Sequence, residues 1–179
     1  MKRVICVMLA LSLFMFAAAC KEKKTEVKHD IDIKYFADMG AMNESDLKIG
    51  DLVPEEKEDD DTYFFTKTEN ESYVSNGNFC YYSDGKEKDP KIYGIAAFSN
   101  CMGFETGDIS IEITDVLNAQ EIEYAQREPE EDEVYFLPEG QNREIIECKG
   151  LKYVLKFVIE DNALCAAFLE ESENGENSN

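Results

Sequence analysis

Short β-forming runs broken by turn residues constrain this chain more than anything else in it. Ser72–Ser75 and Asn78–Tyr82 flank Asn76-Gly77, a dipeptide whose tolerance of positive φ makes it the strongest short-range hairpin signal. Further on, Arg143–Cys148 and Leu151–Ile159 flank Lys149-Gly150, and Ala163–Leu169 follows a turn at Asp161-Asn162. Lys91–Phe98 follows Ser83-Asp84-Gly85, while Thr62–Phe65 and Val134–Leu137 add one β-rich run to each group. Strands this short, joined this tightly, fold as antiparallel meanders.

A helical segment is expected ahead of each group. Leu47-Lys48-Ile49-Gly50-Asp51 alternates and leads into Pro54-Glu55-Glu56, where proline suits a first helical turn and carboxylates suit the positive end of the helix dipole. Ile109–Ile113 alternates in the same way and leads into a helix over Thr114–Glu128, with Val116, Leu117 and Tyr124 on the face of Ile113 and Pro129 as its stop. Asp30–Met42 suits either a short strand or a helix at the domain edge.

The two groups also correspond in sequence. Tyr63-Phe64 and Tyr135-Phe136 lie 72 positions apart, Gly77 and Gly150 lie 73 apart, and Ala96-Ala97-Phe98 lies 70 from Ala166-Ala167-Phe168. A common order seen twice predicts internal duplication. The expected fold class is α+β, with two similar helix-plus-antiparallel-meander units over 47–98 and 109–169. These form mainly antiparallel sheet in one domain of residues 31–169. Period two puts Leu164, Ala166 and Phe168 on one face with Leu155 and Phe157, against a helix. Gly94, Ala96 and Phe98 should match them, making Phe98 and Phe168 core residues.

This order of segments resembles the small bacterial lipoproteins of the SmpA/BamE type. It is also similar to the β-lactamase inhibitory proteins, which look like two such units in tandem, and the likeness covers about residues 47–169. The resemblance implies a non-catalytic module that binds other proteins through sheet and loop surfaces, as an assembly factor or an inhibitor. In those inhibitors disulfides tie the helical parts, whereas Cys80, Cys148 and Cys165 fall in predicted strands here. That departure speaks against lactamase inhibition in particular.

The start of the chain, MKRVICVMLALSLFMFAAAC, has Lys2 and Arg3 followed by an apolar run from Val4 to Ala19 interrupted only by Ser12. The run is short of the roughly 20 residues that span a bilayer, and suits a signal-peptide core. With Ala17, Ala18 and Ala19 directly before Cys20 it resembles a bacterial lipoprotein signal, although Ala17 stands where the usual box has Leu. The resemblance implies removal of residues 1–19 by cleavage between Ala19 and Cys20, and acylation of the Cys20 thiol. Residues 20–30 would then form a flexible tether, and the protein would be lipid-anchored at the cell membrane or outer membrane, facing outside the cytoplasm. Lys21 is not the Asp that retains such lipoproteins at the inner membrane. The acidic tail 170–179 is expected to be disordered.

Charge and composition narrow the partners. The chain carries −21 and, losing two positive charges with Lys2 and Arg3, its mature form carries −23. Such a charge repels nucleic-acid phosphates and anionic headgroups. The expected partners are therefore the bilayer, through acylated Cys20, and another envelope protein.

Chemistry has little to build on. His29 is the single histidine and lies in the tether, so no Ser-His or Cys-His base pair and no imidazole zinc site is expected in the domain. Setting aside Cys6 in the signal and Cys20 at the anchor leaves Cys80, Cys101, Cys148 and Cys165 without CxxC spacing. The acidic run 55–61 lacks the alternation and glycine turn of a calcium loop. No catalytic, cofactor-binding or metal-binding residue is expected, and the protein is not expected to be an enzyme. A small-ligand or carbohydrate-binding lipoprotein is the alternative, followed by a carboxylate-based envelope hydrolase. Glycoside chemistry is not expected, since Trp is absent and no aromatic platform is evident in the sequence. The thiols should be reduced. The expected hairpin registers place Cys101 about 23 Å beyond the position opposite Cys80, at roughly 3.3 Å per residue, and put Cys148 and Cys165 on opposite faces.

Overall fold

A computed structural model describes residues 29–56, 62–67, 72–83, 88–130, 133, 137, 140 and 142–172. The signal and lipidation residues Ala19 and Cys20, most of the tether and of the acidic run, the expected strand Val134–Leu137 apart from Leu137, and the tail beyond Ser172 lie outside the described residues. The described elements are α1 (Ile33–Met39), β1 (Phe64–Lys67), β2 (Ser72–Ser75), β3 (Phe79–Ser83), β4 (Ile92–Ala97), α2 (Ser110–Ala119), β5 (Tyr124–Arg127), β6 (Arg143–Cys148), β7 (Val154–Glu160) and β8 (Ala163–Glu170). The eight strands form one sheet in the order β1-β2-β3-β4-β8-β7-β6-β5, antiparallel at every pairing. The fold is thus α+β and mainly antiparallel sheet, as the turn spacing predicts.

Local chemistry sets the strand ends. At the β2–β3 turn, Asn76 Oδ1 accepts from the backbone N–H groups of Asn78 and Phe79, and Gly77 takes φ 92°. Strands β2, β6 and β8 fall within a residue of their expected bounds. The β6–β7 loop is longer than a two-residue turn, because Glu147 pairs with Lys156 and leaves 149–153 to make the connection.

The helices depart from expectation. No helix begins at Pro54, since Asp51–Glu56 is irregular apart from a bridge between Leu52 and Lys91. The first helix among the described residues lies earlier, at 33–39, ahead of the expected unit boundary at 47. Asp32 caps it by accepting from the Tyr35 N–H at 2.9 Å, and Gly40 ends it at φ 73°. A β-carbon at Gly40 would also come within 2.9 Å of the Tyr153 ring, so glycine is demanded twice there. In the second group, Ile109–Ile113 is not a strand but the entry and first turn of α2. Ile113, Val116 and Leu117 form the buried stripe, while Ile109 and Ile111 stay 43% and 56% exposed. The alternating isoleucines read as a strand, but Ile113 also begins the i, i+3, i+4 stripe with Val116 and Leu117, and packing selects that helical period. That helix stops at Gln120 rather than near Glu128. Glu121 turns the chain at φ 57°, and Tyr124 becomes the first residue of β5, paired with Cys148. A sheet edge open for pairing overrides the helix propensity of this segment.

Both helices lie on one face of the sheet, above a core that includes Ile33, Ala37, Ile113, Leu117, Tyr81, Ile95, Ala97, Phe157, Ala167 and Leu169. The Gln120 side chain links the helices, accepting from the Ile33 N–H at 3.0 Å and donating to the Ile31 carbonyl at 2.7 Å. His29 continues this layer: its ring stacks on Phe104 at 4.5 Å and Nε2 bonds the Met102 carbonyl oxygen at 2.9 Å. Burial lowers its pKa despite that bond and the nearby Asp30.

The face assignment in β8 is corrected. The β7–β8 register shifts between Val158 and Ile159, so that Ala166 faces Val158 but Leu164 faces Ile159, with Cys165 as the extra residue. Beyond this bulge Ala167 and Leu169 point to the helices, while Phe168 points to the opposite face, where it is buried with Ala96 and Tyr82. Ala97, not Ala96, likewise points to the helices. Phe98 is only half-buried and also packs on the opposite face.

Candidate functional site: the outer face of the sheet

The face turned away from the helices divides into an aromatic half and an ionic half. Strand pairing builds the aromatic half. Tyr73 stands opposite Tyr82 across β2–β3, Tyr82 opposite Gly94 across β3–β4, and Ala96 opposite Phe168 across β4–β8. The Tyr73 and Tyr82 ring centroids are 5.8 Å apart, and the Phe168 ring meets Tyr82 edge-on at 5.7 Å. Tyr93 and Phe98 pack on the same cluster. Gly94 and Ala96 keep the middle low: a β-carbon at Gly94 would lie 3.1 Å from Phe168 Cζ. Tyr82 and Phe168 form the buried floor, whereas Tyr73, Tyr93 and Phe98 are half-buried and line its outer surface.

The ionic half crosses β5 to β8. Arg127 forks onto Glu133 at 2.5 and 2.6 Å and also donates to Glu147 at 2.6 and 2.9 Å. Lys156 bridges Glu133 at 2.6 Å and Glu170 at 2.5 Å, and Lys149 pairs with Glu147. Glu133 and Lys156 side chains are only 11% and 12% exposed, so that pair is shielded rather than a surface one. Burial would raise the Glu133 pKa, but hydrogen bonds from Arg127 and Lys156 outweigh it and bring the carboxyl down to about 2. Burial would likewise lower Lys156, and its bonds to Glu133 and Glu170 reverse the sign. Arg143 pairs with Glu160 at 2.8 Å near the end of the sheet. The network fixes Glu133, from the segment after β5, against the sheet beside the aromatic half.

The structure holds Cys80, Cys101, Cys148 and Cys165 as free thiols. Cys101 Sγ donates to the Ala97 carbonyl and Cys165 Sγ to that of Val158. Among the described residues no group of three or more His, Cys, Asp or Glu side chains is placed to hold a metal ion, and no helix is long and apolar enough to cross a membrane. An open depression of about 580 Å³ lies beside the end of α2, lined by Asn118, Glu121 and Tyr124 among others.

The aromatic cluster went unforeseen in the sequence. Tyr73, Tyr82 and Tyr93 belong to three strands, and their common face follows only from the register. The available signal was the alternation in Phe79-Cys80-Tyr81-Tyr82, which puts one tyrosine on each face. No protein-family model, no curated protein and no solved structure matches the chain.

Proposed function

We propose that this protein is a lipid-anchored envelope module that binds another protein through the aromatic half of its sheet. The observation that carries the reading is the Tyr73–Tyr82–Phe168 cluster with Tyr93 and Phe98 around it. Tyrosine and phenylalanine on a rigid support are the residues that anchor protein interfaces, because they desolvate a large area at small entropic loss. The neighbouring ion-pair network supplies that rigidity and a polar rim. Acylated Cys20, after cleavage behind Ala19, would hold the module to the outer surface of a membrane, at the end of a tether that stops short of packed His29.

The same proposal includes duplication of a helix-plus-meander unit, for which the β4–β8 join gives support. The order β1-β2-β3-β4-β8-β7-β6-β5 is the same four-strand series counted inward from either edge. At its centre Ala97 faces Ala167 and Ala96 faces Phe168. Under the offset of 70 between the two Ala-Ala-Phe strings, Ala97 and Ala167 are equivalent to each other. Duplication would relate the two halves by a two-fold axis between these alanines, which superposing the halves tests. Each string turns its middle alanine to the helices and its phenylalanine outward.

Photo-crosslinking in the native envelope tests the reading. A photoreactive residue at Tyr73 or Tyr93 in the full lipidated chain should trap a discrete protein, and the same residue at exposed Asp115 of α2, on the helix side, should not. Equal trapping from both sides, or none from the sheet face, would overturn it.

A further inference from the structure

The helix side carries a second surface, separate from the aromatic sheet face. Helix α1 buries Ile33 and Ala37 and leaves Tyr35 56% and Met39 45% exposed. These two are four residues apart and so share one side of the helix. Next to them the chain curls back over residues 41–51. Ser45 Oγ bridges the carbonyls of Met42 and Leu47, and the Ile49 N–H donates to Gly40. Between helix and curl lies an open groove of about 340 Å³, whose apolar lining includes Phe36, Met42 and Leu47.

The rim of this groove is acidic, with Glu44, Asp46 and Asp51 against the single cation Lys48. Neutral donors hold two of the carboxylates. Asp46 Oδ2 accepts from Asn76 Nδ2 at 2.9 Å, and Asp51 Oδ2 accepts from the Lys48 backbone N–H at 3.0 Å. Among the described residues no cation lies within ion-pair distance of Glu44, Asp46 or Asp51. Elsewhere on the described surface, carboxylates of the sheet face are matched by Arg127, Arg143, Lys149 and Lys156. The acidic rim of the groove is not.

We propose that the groove takes a segment of a partner protein in which an apolar side chain stands next to arginine or lysine. Charge complementarity selects the cation, because the rim has three carboxylates for one amine and like charges brought together there repel. The lining selects the apolar neighbour, since methionine and aromatic side chains adapt to varied shapes. An arginine lying across Tyr35 would add a cation–π contact. The volume is at the small end of ligand pockets, which span about 300–1,000 Å³. It suits a side chain or two of a docked segment rather than an enclosed substrate. This extends the protein-binding reading to a second surface and is tested independently of it.

The methionines make the test direct. The chain from Cys20 onward contains Met39, Met42 and Met102, two at the groove and one fully buried elsewhere. With methyl-labelled methionine in that chain, the probe is acetyl-Gly-Phe-Arg-Leu-Arg-Gly-amide, compared with the same peptide carrying Glu for Arg. The arginine peptide should shift the Met39 and Met42 methyl signals and leave Met102 in place. The glutamate peptide should bind at least about fivefold more weakly, as expected for losing two exposed ion pairs. Glu44→Gln should weaken the arginine peptide by about two- to fivefold, and added salt should weaken it without any mutation. Silence of Met39 and Met42 at millimolar peptide, or equal affinity for both peptides, would overturn the proposal. Either result would leave the crosslinking test of the sheet face untouched.

Discussion

Ala97 and Ala167 stand opposite each other where β4 meets β8, both fully buried beneath the helices. A small residue at each position lets the helical layer approach the centre of the sheet. Ala97→Leu or Ala167→Leu should therefore overpack the join and cost about 1–3 kcal/mol. Urea unfolding would measure it, and a variant as stable as the parent would mean that the layers are loosely packed there.

The two phenylalanines of the Ala-Ala-Phe strings should differ. Phe168 is 4% exposed on the outer face, whereas Phe98 is half-buried. Phe168→Ala should cost about 3–5 kcal/mol and Phe98→Ala distinctly less. The reverse order in thermal or urea unfolding would contradict the placement of the bulge at Cys165.

Acid should loosen the ionic half. The Glu133 carboxyl sits at about 2 in the folded chain against 4.5 as its ordinary value, because bonds from Arg127 and Lys156 overcome its burial. Its folded pKa is depressed, so its stabilisation is complete above about 4.5 and is lost as pH falls toward 2. The urea midpoint of the parent should fall through this window more steeply than that of Glu133→Gln. Parallel curves would show that Glu133 is not the titrating group.

Thiol reactivity should follow burial. Burial pushes Cys101 and Cys148 up to about 12, and raises Cys80 and Cys165 as well. Since the thiolate is the nucleophile, an aromatic disulfide reagent at neutral pH should modify native protein slowly, at half-buried Cys80 and Cys165 before the other two. In denaturant all should react together. Prompt labelling of native Cys148 would contradict its burial.

The anchor is tested at one atom. Cys20→Ser should abolish incorporation of a labelled fatty acid and release the protein from membranes or leave it unprocessed. Undiminished labelling in that variant would remove the lipid anchor from the proposed function.

What the sequence by itself determined is local. Asn76-Gly77 specifies a tight turn through an asparagine side chain that bonds nearby backbone and a glycine at positive φ, and Asp161-Asn162 specifies one through backbones that tolerate positive φ. The β-forming runs between them supply strands β2, β6 and β8 nearly to the residue. Tertiary structure decided whatever depended on competition between distant segments. Ile109–Ile113 alternates as a strand would, and only the packing of Ile113 with Val116 and Leu117 on the sheet makes it the start of a helix. Tyr124 leaves its predicted helix because β6 offers an edge to pair with. One extra residue at Cys165 puts Leu164 and Ala166 on opposite faces, which no alternation pattern reveals in advance. The aromatic face lay hidden for the same reason. Tyr73, Tyr82 and Phe168 come from separate strands, and register alone makes them neighbours.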